Sequence, residues 1–140
     1  MIKINLMKGD CLERMKEIPD KSVDLVLTDP PYGTTSCKWD AVINFKLMWI
    51  ELKRIVRNEK SAIVLFGIDP FSSSLRLSNL ENFKYDWIWV KKRPSGVMNA
   101  KLRPMSNHEV ISVFSEGKTS NGNKMNMNYY PQGLERINKM

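Results

Sequence analysis

Residues 23–33 read VDLVLTDPPYG: a short, largely aliphatic run, then an acid, two prolines, a tyrosine and a glycine. The run from Val23 to Thr28 predicts a strand buried on both faces, the pattern of a parallel sheet. Asp29 then stands at the carboxyl end of that strand, where open α/β sheets receive their ligands. Pro30 and Pro31 fix their own φ angles, and each pushes the residue before it away from helical geometry. The chain therefore leaves the strand extended and stiff, and because proline has no N–H its backbone offers mainly acceptors. A carboxylate, a fixed carbonyl and the face of Tyr32 suit a planar group that carries an NH2. A proline-rich turn after a strand looks the same in isolation. The apolar strand ahead of it favours the site.

On either side the pattern alternates. Residues 2–7, IKINLM, predict a short strand by their alternation of apolar and polar residues. GDCLERMKEIPD predicts a turn and a short helix, capped by Asp10, with Glu13 three residues on and Pro19 ending it. Phe45, Met48, Leu52, Ile55 and Val56 recur at helical spacing and predict an amphipathic helix over 44–57. SAIVLFG predicts a second buried strand, and DPFSSSLRLSNL opens with an acid and a proline as helices often do. KYDWIWVKK and HEVISVFS predict two more strands joined by a basic loop. Strands alternating with helices predict an α/β fold with a mostly parallel sheet and helices on its faces. After residue 115 the composition turns to Asn, Gly, Ser and Lys without a core period, so 1–115 is expected to form the domain and 116–140 a polar loop or the start of another region.

The chain has 140 residues, enough for one domain with a modest core. No apolar run reaches the length of a membrane span, and MIKINLMKGD lacks the features of a signal peptide, so no membrane is expected as a partner. Cys11 and Cys37 have no metal-ligand spacing and read as free thiols of a reducing compartment. With 22 basic and 15 acidic residues the formal charge is +7, which favours a polyanionic partner.

GDCLERMKEIPDKSVDLVLTDPPYG resembles the opening of the amino-methylating DNA methyltransferases, in the subgroup whose catalytic motif precedes the cofactor loop. The resemblance continues in order through LMWIELKRIVRNEKSAIVLFG, YDWIWVKKRPSG, NHEVISVFS and YYPQG. It implies a Rossmann-like fold and S-adenosyl-L-methionine as the methyl donor. The substrate it implies is double-stranded DNA, methylated on the exocyclic nitrogen of adenine or, less often, cytosine. It implies that Asp29 and the Pro30 carbonyl hold the target amine, that Pro31 keeps the segment stiff, and that Tyr32 stacks on the extruded base. No metal and no covalent enzyme intermediate are implied. An acid at the position of Asp10, with the backbone at Cys11, would contact the adenine of the cofactor, and Asp29 would border the same donor. A cytoplasmic setting of bacterial or phage type follows from the family. Asp rather than Ser before PPY favours adenine.

Several residues carry two readings. Lys91, Lys92, Arg93, Lys101 and Arg103 fall around the expected basic loop, where they suit DNA phosphates, although a solvated charged loop looks alike. His108 is expected to be packed or hydrogen-bonded at a strand end rather than a base. Trp87 and Trp89, with Ile88 and Val90 opposite, are expected in the core on both faces, and Trp39 and Trp49 as packing residues.

The family's glycine-rich cofactor loop does not occur: the glycines at 9, 33, 67, 96, 117, 122 and 133 include no pair separated by one residue. The fold is therefore expected to be incomplete, with the catalytic side present and the main cofactor side lacking. A complementary C-terminal half or a second copy is the expected partner. The competing reading is a catalytically silent fragment, or a module that binds DNA or pairs with another chain. Action on RNA or on a protein amide is a third.

Overall fold

The computed structural model describes residues 2–133, and the last residues of the expected tail lie outside that range. One four-stranded sheet carries the domain: β1 (Leu25–Thr28), β2 (Ala62–Gly67), β3 (Phe83–Ser95) and β4 (Ser106–Phe114), in the order β1-β2-β4-β3. Helices α1 (Cys11–Met15), α2 (Phe45–Ile55) and α3 (Phe71–Leu77) complete it, with a 3-10 turn at Val97–Asn99.

The expectation of a mostly parallel sheet is corrected in one respect. β1 and β2 pair in parallel, from Leu25↔Ala62 to Thr28↔Leu65, but β4 is antiparallel to both β2 and β3. β3 therefore still runs in the direction of β1 and β2, as the strand–helix alternation requires. What alternation does not encode is the insertion of β4 between them. The β3–β4 connection is a hairpin, and a hairpin can join only antiparallel strands.

α2 forms where its apolar period is strongest. Asn44 caps it by accepting from the Leu47 amide at 3.2 Å, and Val56 turns extended to end it. Its buried face, Met48, Trp49, Leu52 and Ile55, packs on Ile63, Leu65, Phe71, Leu75 and Phe114. Each fully buried side chain of this size contributes about 1.5–3 kcal/mol. The Trp49 indole N–H is satisfied by the Ser78 hydroxyl at 2.8 Å. Arg54 ties α1 to α2, donating to the Ile18 carbonyl at 2.9 Å and the Met15 carbonyl at 2.8 Å.

Residues 2–7 form no strand and expose Ile2, Ile4 and Leu6, although the outer edge of β1 is left unpaired. β1 is not buried on both faces: it is an edge strand, and Leu25 and Leu27 are 53% and 62% exposed. The helices cover only one side of the sheet. On the other side Val64 and Val113 are covered by Met127 from the polar segment, while Trp87 and Trp89 remain about half exposed. The expectation that both tryptophans lie in the core fails because, among the described residues, only part of the 118–129 segment reaches over that face. Ile88 and Val90, on the opposite face of β3, are exposed as well. None of the helices among the described residues is long and apolar enough to cross a membrane.

Candidate active site

The DPPY segment begins where β1 ends, on the side of the sheet to which β1 and β2 both point. Asp29 is exposed, Pro30 buried, and Pro31 and Tyr32 half-buried. The Tyr32 phenol donates a hydrogen bond to the Asp29 carboxylate, and its ring lies 5.0 Å from that of Phe71 at 36°. Phe71 is the first residue of α3 and belongs to the main core, so one edge of the site is braced by the domain interior. Burial, then the bond to Asp29, pushes the Tyr32 phenol well above its ordinary value.

Behind Tyr32 the chain turns sharply. Gly33 has φ +68°, and a Cβ there would meet the Val42 side chain at 2.8 Å, so glycine is required twice over. The following loop is fastened by Asp40, whose carboxylate accepts from the amides of Gly33 (2.9 Å), Thr34 (2.9 Å) and Thr35 (2.7 Å). Hydrogen bonding from the Thr35 side chain, then the Gly33 amide, holds the Asp40 carboxyl at about 2. The loop is thereby a fixed wall.

Two hollows flank the segment, and Asp29, Pro30 and Pro31 line both. The first, about 310 Å³, is completed by Tyr32, Thr34, Thr35, Trp39 and Asp40. The second, about 510 Å³, runs along β1 with largely apolar walls that include Cys11, Leu25 and Leu27. A planar amine in the first hollow and a methyl donor in the second would meet at Asp29. The sequence reading thus has Asp29, Pro30, Pro31 and Tyr32 together, and Cys11 and Asp29 on one cleft. Asp10 is not among the residues lining that cleft. Its carboxylate accepts from the Leu12 amide at 2.8 Å as the cap of α1. Burial, then Asp10, pushes the Cys11 thiol upward.

The basic residues need correction. Lys91, Lys92 and Arg93 lie on β3 itself, not in a loop, since β3 runs on to Ser95. Lys91 is paired with Glu109 across the hairpin and is half-buried, so its charge is already spoken for. Lys92 and Arg93, with Lys101 and Arg103 beyond the 3-10 turn, are exposed along the same hairpin. His108, near the start of β4, takes the hydrogen-bonded alternative of its reading: it is exposed, with Nδ1 3.3 Å from the Asn107 side-chain oxygen. Trp39, read as a packing residue, is 76% exposed at the first hollow, because its polar turn has no apolar layer to bury it. Sequence reasoning missed Asp40 and Phe71. The small, polar GTT followed by an acid before AVI was the signal for Asp40, whereas Phe71 looks like any core aromatic.

Known proteins resemble this chain in sequence and in fold. The type II methyltransferase M.HinfI of Haemophilus influenzae is 28% identical over 89% of this chain and 40% of its own length. Among solved structures, PvuII DNA methyltransferase (cytosine-N4-specific) superimposes with a TM-score of 0.54 at 16% identity, over 77% of this chain and 47% of its own. M1.HpyAVI, solved as a SAM complex, gives 0.51 at 22% identity, over 85% and 62%. The structural matches establish a shared fold, that of part of a Rossmann-like methyltransferase. The chain spans about half the length of the relatives it matches. The family model for N6/N4 DNA methylases matches residues 23–139, and this chain belongs to that family.

Proposed function

We propose that this chain supplies the catalytic motif of an S-adenosyl-L-methionine-dependent DNA methyltransferase acting on the N6 amine of adenine. The observation that carries the reading is the pairing of Asp29 and Tyr32 at the carboxyl end of β1, between two hollows that share Asp29. The Asp29 carboxylate accepts an N–H of the target amine, and the acceptor backbone at Pro30 takes the other. Accepting those hydrogen bonds returns electron density to a nitrogen whose lone pair is otherwise delocalised into the ring. Tyr32 presents its ring to the extruded base. Positioning and local electrostatics carry the catalysis, without a covalent enzyme intermediate.

The cleft along β1 suits the methyl donor in size and in its apolar walls, with Cys11 and Asp29 as the residues that would hold it. When bound, that donor supplies an electrophilic methyl group on sulfonium. The close backbone approach that a glycine-rich turn provides has no counterpart in this chain. We assign it to further polypeptide, continuous or separate, that pairs with the free edge of β1. The exposure of Leu25 and Leu27 and the half-length match to the relatives support that assignment. Lys92, Arg93, Lys101 and Arg103 are assigned to DNA phosphates, in the cytoplasm. Residues 116–133 extend the domain toward a target-recognition region.

A second reading is cytosine-N4 methylation, the specificity named for the PvuII enzyme whose fold this chain shares. Labelled S-adenosylmethionine and unmethylated DNA test the proposal. The 140-residue chain alone should bind the donor poorly and transfer nothing. Together with a glycine-rich complementary half it should label adenine. Label on cytosine would select the second reading. No label in the completed enzyme would leave a silent, partner-pairing module, and tight stoichiometric donor binding by the isolated monomer would overturn the assignment of a missing half.

A further inference from the structure

Trp39 is large, apolar and 76% exposed, on a chain that buries its other packing tryptophan, Trp49, almost completely. A single exposed aromatic is ordinary on a protein surface. The setting of Trp39 is not. It sits inside a turn closed by the Asp40 amide on the Cys37 carbonyl at 3.0 Å. The far end of that loop is held by the three amide bonds to the Asp40 carboxylate. The ring is therefore presented by a fixed backbone, so little ordering entropy is lost when something packs on it. It lines the same hollow of about 310 Å³ as Asp29 and Tyr32.

Tyr32 alone is a limited stacking surface. Its hydroxyl is engaged by Asp29 and its ring packs on Phe71, which leaves it half-buried. A planar ring entering the hollow and offering an N–H to Asp29 would have Tyr32 on one wall and nothing but Trp39 as a second large aromatic. Extruded bases are commonly gripped between aromatic or apolar side chains.

We propose that Trp39 is a nucleobase-binding residue, the second aromatic wall for the purine whose amine Asp29 receives. The assignment rests on the methyltransferase reading above and adds to it a residue outside the DPPY motif.

The test uses the 140-residue chain and a short single-stranded DNA carrying one 8-vinyladenine, which keeps the 6-amino group and whose fluorescence is quenched by stacking. The unaltered chain should quench it saturably. Trp39→Ala should lose most of the quenching and bind about tenfold more weakly, the scale of one lost base–aromatic stack, whereas Trp39→Phe should recover to within about threefold. The salt dependence of binding should be the same in all three, since phosphate contacts are untouched. Melting temperature should also be unchanged, because the side chain supports no core. Undiminished quenching in Trp39→Ala would overturn the role of Trp39 alone. Absence of quenching by the unaltered chain would overturn that role together with the reading of the hollow as a base site.

Discussion

The Tyr32 phenol donates to the Asp29 carboxylate three residues before it, so in the resting fold the acid already has a partner. The phenol occupies one carboxylate oxygen, and the other stays open to an incoming amine. The two side chains therefore differ in what their loss should do. Tyr32→Phe keeps the ring and frees the acid, and methyl transfer by the completed enzyme should stay within about tenfold of normal. Asp29→Ala removes the acceptor and should cost about a hundredfold or more. Near-normal transfer by Asp29→Ala, measured with labelled donor on DNA, would remove that residue from the chemistry.

Phe71 joins the site to the core, touching Tyr32 on one side and Phe45 on the other, with ring centroids 5.0 and 5.7 Å apart. Phe71→Ala should lower stability by about 3–5 kcal/mol in urea unfolding, the usual cost of deleting a buried aromatic. A loss below about 1 kcal/mol would mean that the side chain is not packed as described.

Asp40 gives a pH prediction with a definite sign. Its folded value of about 2 lies below the ordinary 3.8, so its contribution is complete above that ordinary value. The contribution drains as the pH falls toward about 2. The amide resonances of Gly33, Thr34 and Thr35 should shift together through that window, and should not do so in Asp40→Ala. Titration of all three near the ordinary carboxylate value would show that the loop is not held by this acid.

The hairpin charges should divide into two classes. Neutralising Lys92, Arg93, Lys101 and Arg103 together should flatten the salt dependence of DNA binding by about three to four, near 0.9 per lost phosphate contact. Lys91→Gln, which breaks the pair with Glu109 instead, should leave the slope alone. A slope that falls equally for both variants would contradict the pairing.

The open edge and face of β1 predict association of the isolated chain, because unpaired strands with apolar side chains seek partners. Leu27→Lys, at a position 62% exposed, should shift sedimentation toward monomer without lowering stability. Unchanged association would move the sticky surface elsewhere, with the half-exposed Trp87 and Trp89 as the next place to look.

Four local devices were legible in the sequence: the strand of SAIVLFG, the apolar period of α2, the Asp10 cap and the stiff DPPY exit from β1. Each depends on residues a few positions apart, where propensity, capping and proline geometry act directly. The insertion of β4 between β2 and β3 was not legible, because a hairpin and a crossover both read as strand, gap, strand. Burial was not legible either. VDLVLT, IKINLM and DWIWV are apolar enough for a core, yet they lie at an edge, off the sheet or on an uncovered face. Apolar sequence states what a segment would gain by being covered, and only the tertiary structure decides whether a covering layer is there. The site divides the same way. The acid, the prolines and the tyrosine announce themselves by order along the chain, while Phe71, Asp40 and Trp39 join them only when α3 and the 33–40 loop fold back onto the end of β1.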